Sequence, residues 1–139
     1  MLKELEYPFD SEYILKKSKS LKKKLLEDGS GRTEKRIAVL GGSTTHDVVR
    51  ILELFLLNQG INPVFYESEY ARYWEDAMFG NEELDRFRPD IVYIHTSNRN
   101  ITYWPAADCE EEEAEALPNQ QYDHFYTMWE HIRTVWKCP

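Results

Sequence analysis

The sequence predicts an α/β fold of three layers, α/β/α, around a parallel sheet. Three observations carry that expectation: short apolar runs that read as strands, amphipathic stretches of helical period between them, and a glycine-rich turn, Leu40-Gly41-Gly42-Ser43-Thr44-Thr45, that hands the first run on to a helix. The chain has 139 residues, 42% hydrophobic and 14% aromatic, which is enough apolar surface to offset the entropy of ordering one domain.

Taken in order, residues 1–29 form a basic amphipathic stretch. Ile14, Leu15, Leu21, Leu25 and Leu26 interleave with Lys16, Lys17, Lys19, Lys22, Lys23 and Lys24, a spacing that suits a helix with one apolar stripe packed on its own domain. A basic helix also reads as an element for a membrane surface or an acidic partner. Gly29-Ser30-Gly31 breaks it, so residues 1–31 are read as an N-terminal helical extension and 32–139 as an α/β domain. Ile37-Ala38-Val39-Leu40 has the continuous apolar character of a strand buried on both faces. Thr44, with Asp47 three residues on, resembles a helix N-cap with an acidic third residue. Val48, Ile51, Leu52, Phe55 and Leu56 continue at helical spacing, and Gly60 stops the helix.

Pro63-Val64-Phe65-Tyr66 reads as a second strand, completing a βαβ unit whose crossover is right-handed as a rule. Residues 67–87 turn aromatic and acidic, and the spacing of Tyr70, Tyr73 and Trp74 predicts one helical face over the core. Pro89-Asp90-Ile91-Val92-Tyr93-Ile94-His95-Thr96 is the clearest strand and leads into Ser97-Asn98-Arg99-Asn100. Cys109-Glu110-Glu111-Glu112-Glu113 reads as a solvated loop, and residues 123–135 as a helix with Phe125, Trp129, Ile132 and Trp136 along one side. The chain stops at Cys138-Pro139, where an alternating fold starts its next strand, so a C-terminal truncation is expected.

Composition also excludes functions. A formal charge of −8 disfavours a generic nucleic-acid backbone binder, which needs Lys and Arg to displace counterions. No apolar run of membrane-spanning length and no signal-peptide core occur, so no membrane span and a cytoplasmic location are expected. Cys109 and Cys138 are too few and too far apart for a disulfide framework or a structural zinc site. No repeat of fixed period is present.

Chemistry is expected beyond the carboxyl ends of parallel strands, where loops diverge and helix N-termini point outward. Two strands end in polar loops, Leu40 into 41–45 and Thr96 into 97–100. Adjacent parallel strands would set both loops on one rim. Gly41 and Gly42 let the backbone turn sharply, so that N–H groups face an anion or a developing oxyanion. Ser43 then presents its hydroxyl as a nucleophile or as a hydrogen-bond donor. A capping turn without chemistry is the alternative for the same residues.

Residues 36–101, with Ile37-Ala38-Val39-Leu40-Gly41-Gly42-Ser43-Thr44-Thr45, Phe65-Tyr66-Glu67-Ser68-Glu69-Tyr70 and the run from Pro89 to Asn100, resemble the N-terminal region of FkbH-like proteins. Tyr7-Pro8-Phe9-Asp10 and Leu21-Lys22-Lys23-Lys24-Leu25 resemble the start of the same family. The resemblance implies an SGNH/GDSL-hydrolase-like region, of a fold related to flavodoxin, ahead of a haloacid-dehalogenase-type phosphatase domain. It also implies a role in forming or loading a glyceryl unit on an acyl carrier protein, in polyketide or polysaccharide biosynthesis. An acyl carrier protein and a small glyceryl or acyl substrate are then the expected partners. Magnesium belongs to the phosphatase-type domain, and no cofactor is expected in these residues.

Residue by residue, the resemblance sets Ser43 at the nucleophile position, with Gly42 in place of the family's Asp, and Asn98, or else Asn100, at the oxyanion-donating Asn. Gly41, Gly42, Thr44, Thr45, Asn100 and His95 would line the ligand site. SGNH hydrolases take their base from an Asp-x-x-His block, and no Asp of this chain has a His three residues later. Among His46, His95, His124 and His131, His46 follows Ser43 by one helical turn and His95 ends a strand. Two functions remain open: an esterase or acyltransferase domain whose base lies outside the sequence, and a non-catalytic binding or docking module on the same rim.

Overall fold

The computed structural model describes residues 1–29 and 31–138. A short 3-10 turn, Lys3–Leu5, precedes α1 (Ser11–Glu27). The α/β part follows as β1 (Thr33–Gly41), α2 (His46–Asn58), β2 (Ile61–Glu67), α3 (Tyr73–Phe79), α4 (Glu82–Phe87), β3 (Ile91–His95), a 3-10 turn at Asn98–Asn100 and α5 (Glu111–Trp136). The three strands form one parallel sheet in the order β2-β1-β3, with Ile37 of β1 opposite both Phe65 and Ile91.

Alternation along β1 builds the layers, because successive side chains of a strand point to opposite faces. Ala38 and Leu40, with Tyr66 of β2, face a core supplied by Tyr73 and Ala77 of α3, Leu84 of α4 and Met128 and Ile132 of α5. Ile37 and Val39 face the other way, onto Val49 of α2, with Leu56, Phe65 and Ile91 around them. The fold is therefore α/β/α with a parallel sheet. Outside α2 lies α1, whose Ile14, Leu21 and Leu25 pack on Leu54 and Leu57. The basic first helix thus packs on its own fold. Asp10 caps it by accepting the Tyr13 N–H at 3.0 Å.

Several elements differ from the sequence reading, each for a physical reason. The buried residues of α1 are Ile14, Ser18, Leu21 and Leu25, whereas Leu15 and Leu26 are half exposed. A helix with one neighbour buries only a narrow stripe. Of the break 29–31, Gly29 has φ +59°, and Ser30 lies outside the described residues, as does Pro139. β1 starts four residues before its apolar run, since Thr33 to Arg36 pair by backbone with β2 while their side chains remain largely uncovered. Pro63 is tolerated inside β2 because β2 is an edge strand of this sheet.

In α2 the deepest residues are Val49, Leu54, Leu57 and Asn58, whereas Val48, Ile51, Leu52 and Phe55 line an open apolar cavity at the surface. Residues 67–87 form two short helices rather than one face. Gly80, at φ +63°, separates them, and the Asn81 side chain caps the second by accepting the Leu84 N–H at 2.8 Å. Tyr73 is buried and Trp74 packs beside it, but Tyr70 precedes the helix and is exposed.

The acidic run expected as a loop is the start of α5: Glu111, Glu112 and Glu113 occupy its first turn, where carboxylates complement the helix dipole. They are solvated as expected, and helical too. Along α5, Met128 and Ile132 are the buried residues, Phe125 and Trp136 pack partly against the core, and Trp129 is exposed.

At the edge of the sheet opposite the strand carboxyl ends, Asp90 closes β3 onto β1. Its carboxylate accepts the Arg36 N–H at 2.8 Å and the guanidinium at 3.2 Å, while its own N–H donates to the Arg36 carbonyl at 2.7 Å. The Arg36 backbone N–H and then the guanidinium hold its carboxyl below the ordinary value of 3.8.

Two outcomes follow for stability. Leu40→Ala, which empties a fully buried site, is expected to cost about 2–5 kcal/mol in urea unfolding, against less than about 0.5 for the exposed Leu15→Ala. A carboxyl depressed in the folded state stabilises above its ordinary value and loses that contribution as pH falls through the folded value. Asp90→Asn should therefore lower stability at neutral pH and flatten its decline below pH 3.8, read as melting temperature against pH.

Candidate functional site at the carboxyl edge of the sheet

The strand order β2-β1-β3 puts a topological switch at β1, whose chain leaves the sheet between its two neighbours. Gly41 is the last residue of β1 and pairs with His95, the last of β3. One residue on, the Gly42 N–H donates to the His95 carbonyl at 2.9 Å, so pairing of the two chains continues past the strands. Asn100 then ties the loops together: its Nδ2 donates to the Gly42 carbonyl at 3.0 Å, and its Oδ1 accepts the Ser97 N–H at 2.9 Å. This second bond belongs to the capped 3-10 turn that also sets Asn98 and Arg99.

The glycines are a packing requirement here. A Cβ on Gly42 would fall inside the Asn100 side chain, and one on Gly41 would lie 2.8 Å from the Ser43 carbonyl and against the Thr45 methyl. On the other flank, Ser68 accepts the Gly41 N–H at 2.9 Å through Oγ, and its own N–H donates to the Val39 carbonyl at 2.9 Å. Thr45 is the N-cap residue of α2, in place of Thr44. Its hydroxyl makes no cap bond and donates instead to Glu67 Oε2 at 3.0 Å. The other oxygen of Glu67 stands 3.6 Å from His46 Nδ1.

The predicted residues therefore divide. Ser43 and Thr44 on one turn and Asn98 on the other are exposed at a shared rim. Gly41, Gly42 and Asn100 build the junction, and their polar groups are engaged within it. Among the described residues, the backbone bonds of the first turn use the N–H of Gly41 and Gly42 but not those of Ser43 and Thr44. Thr45 is buried and faces Glu67, on the β2 side. His95 is half-buried, with Nδ1 3.2 Å from the Tyr93 hydroxyl.

Sequence reasoning missed Glu67. It ends β2, whose strand places it at the same rim, but a lone Glu after an apolar run carries no signal. It also missed a buried polar set beside it: the Tyr66 hydroxyl lies 3.2 Å from Asp76 Oδ2, and Asn81 Nδ2 donates to both, at 2.8 Å to the hydroxyl and 3.0 Å to Asp76 Oδ1. Burial first, and then the Asp76 charge against the opposing Asn81 bond, raise the Tyr66 hydroxyl above its ordinary 10.0. Among the described residues no group of three or more His, Cys, Asp or Glu is placed to hold a metal ion. No helix among them is long and apolar enough to cross a membrane.

No protein-family model and no curated protein matches the chain. Among solved structures, its fold is similar to the crystal structure of the N-terminal part of the protein BF1531 from Bacteroides fragilis, which contains a phosphatase domain and is complexed with Mg. The TM-score is 0.63 at 18% identity, over 81% of this chain and 30% of that one. The chain thus spans about 30% of the length of that structure, and the likeness is one of fold.

Asn100 offers a direct test of the junction. Asn100→Ala removes two hydrogen bonds and should cost about 1–3 kcal/mol at about 0.5–1.5 each. Gly42→Ala should be destabilising because its methyl displaces that side chain. Combined, the two should cost less than their sum, since the truncated residue 100 makes room for the methyl. Strict additivity in urea unfolding would show that the loops do not meet there.

Proposed function

We propose that the chain is the SGNH-hydrolase-like α/β domain of an FkbH-like protein that takes part in forming or loading a glyceryl unit on an acyl carrier protein. The observation that carries this reading is the junction of the two polar turns: Ser43 and Asn98 leave the sheet on neighbouring chains, at the crevice where open α/β sheets receive ligands. The similarity in fold to the N-terminal part of a phosphatase-domain protein is consistent with it. A cytoplasmic location belongs to the same proposal.

In this reading Ser43 Oγ attacks the carbonyl of an acyl or glyceric ester or thioester, and the alcohol or thiol leaves with the proton that Ser43 gave up as the acyl-enzyme forms. The N–H groups of Ser43 and Thr44 and the Asn98 side chain face the oxyanion, at the start of a 13-residue helix whose dipole favours negative charge. Asn100, Gly41 and Gly42 position these donors without touching substrate. His46 is the histidine closest to Ser43 along the chain. The Glu67 carboxylate beside its Nδ1 favours the orientation in which Nε2 accepts a proton. Magnesium has no part in these steps.

A second reading, a binding or docking module without turnover, is favoured by one observation: among the described residues no histidine is hydrogen-bonded to Ser43. Ser43→Ala in the native protein separates the two. Catalysis predicts a loss of esterase turnover on short acyl esters, and of glyceryl loading, by about a thousandfold or more. Unchanged rates would remove the nucleophile role and leave a module in which Asn98→Ala weakens substrate binding alone.

A further inference from the structure

The two outer edges of the sheet are unlike. Backbone groups of successive strand residues point to opposite sides, so one hydrogen bond to β1 fixes what each edge presents. Ser68, one residue past β2, donates its N–H to the Val39 carbonyl, so the even-numbered residues of β2 face β1 and the odd-numbered ones, Pro63 among them, face outward. A proline ring thus stands where an N–H would invite another strand. On β3 the His95 carbonyl accepts from the Gly42 N–H, so residues 91, 93 and 95 face β1, and Val92 and Ile94 present their N–H and C=O groups outward. Ile91–His95 contains no proline, lysine, arginine or carboxylate, and among the described residues β3 pairs with β1 alone.

The helix layer leaves the same side uncovered. α5 sets Phe125, Met128 and Ile132 on the core and one flank against α3, where His124 stacks on Trp74 with ring centroids 3.5 Å apart. At about 100° per residue, Tyr122, Tyr126 and Trp129 fall on the opposite flank. Tyr122 lies 5.9 Å from Tyr126 and 6.4 Å from Trp129, and the three are 58%, 48% and 42% exposed. Cys138, just past α5, lies near enough to Asp90 to feel its charge, so the helix runs back along β3 and this flank overhangs the open edge. Ile37 to Leu40 of β1 are fully buried, whereas no residue of β3 is.

We propose that this wall pairs with a second copy of the chain, β3 against β3 in antiparallel sense about a two-fold axis at Tyr93, joining two sheets into one. Val92 and Ile94 flank Tyr93 symmetrically, so Val92 of each copy meets Ile94 of the other in a pair that exchanges both N–H···O bonds. Tyr93 meets its own copy in the intervening pair, where side chains approach closest. The α5 flanks meet on one face, and the contact closes on itself. Tyr93, Tyr122, Tyr126 and Trp129 offer roughly 350 Å² of exposed surface per copy, taking about 200 Å² for a whole aromatic side chain. That approaches half of the ~800 Å² per partner of a standard interface, and the strand edge with the half-buried Ile91, Val92 and Ile94 adds to it. Charge favours the same wall: two chains of net charge −8 repel elsewhere, but Glu130 and Arg133 beside this flank neutralise each other at 2.7 Å. The pairing does not depend on the role of Ser43.

Sedimentation velocity of the chain from about 1 to about 200 μM tests it. A monomer–dimer equilibrium with Kd on the order of 10 μM is expected, as suits an interface at the small end. Hydrogen exchange at the Val92 and Ile94 amides should slow as dimer forms. Val92→Pro, which gives β3 the guard that β2 has, and Tyr126→Glu, which brings like charges together across the axis, should each weaken the dimer by about tenfold or more. Leu26→Glu, on the exposed side of α1, should leave it unchanged. A chain that stays monomeric throughout, one that grows past the dimer, a dimer indifferent to both substitutions, or one without slowed exchange at those amides overturns the proposal. If Val92→Pro fails to fold in a thermal melt, Tyr126→Glu decides alone.

Discussion

Everything at the carboxyl edge depends on one backbone hydrogen bond, from the Gly42 N–H to the His95 carbonyl. It prolongs the pairing of β1 and β3 beyond the last strand residues, and so fixes where two otherwise independent loops leave the sheet. Without it the turn at 42–45 would be held on the β3 side by the Asn100 side chain, and on the β2 side through Ser68 and Glu67. Asn100 reinforces the same junction from the side-chain level, and its fit demands that residue 42 have no Cβ. The glycine pair thus serves close approach: neither Gly41 nor Gly42 is among the glycines with positive φ.

That construction allots the polar groups of the rim to different duties. The groups nearest the sheet have partners within the fold: Gly41 on Ser68, Gly42 on His95 and Asn100, Thr45 on Glu67, and Asn100 also on Ser97. Ser43, Thr44 and Asn98 stand one step farther out and face solvent. A rigid inner ring carrying an exposed outer one suits a site whose ligand arrives from outside, because the ligand need not displace hydrogen bonds that hold the fold. The cost of shaping such a site is met in the folded chain before any ligand binds.

Much of this architecture is legible in the sequence, for reasons that differ by element. Ile37 to Leu40 announces a doubly covered strand because both sheet faces are buried there, and the paired polar loops follow from parallel strand order. The 3.6-residue period places α1 and α2 but not their contact faces, since α2 has neighbours on two sides and its apolar residues exceed what they cover. By sequence Thr44, with Asp47 three residues on, is the cap. Only the position of Glu67, set by the register of β2 against β1, draws Thr45 inward and makes it the boundary. The Glu-rich run at 110–113 was misleading for a related reason: charge reports solvation, and the first turn of a long helix is also solvated.

The first helix shows how a segment that reads as an appendage becomes part of the fold. By composition it is a basic extension, separable from the α/β unit. Its stripe at 14, 18, 21 and 25 nevertheless covers the outer face of α2, and its lysines reach the side chains of α2: Lys22 meets Glu53. α2 therefore carries two environments along one length. Its N-terminal end contributes His46 to the rim, beside Glu67, and the same residue to the wall of a cleft between α1 and α2. A tilt of α2 against the sheet would move both, because His46 stands in its first turn.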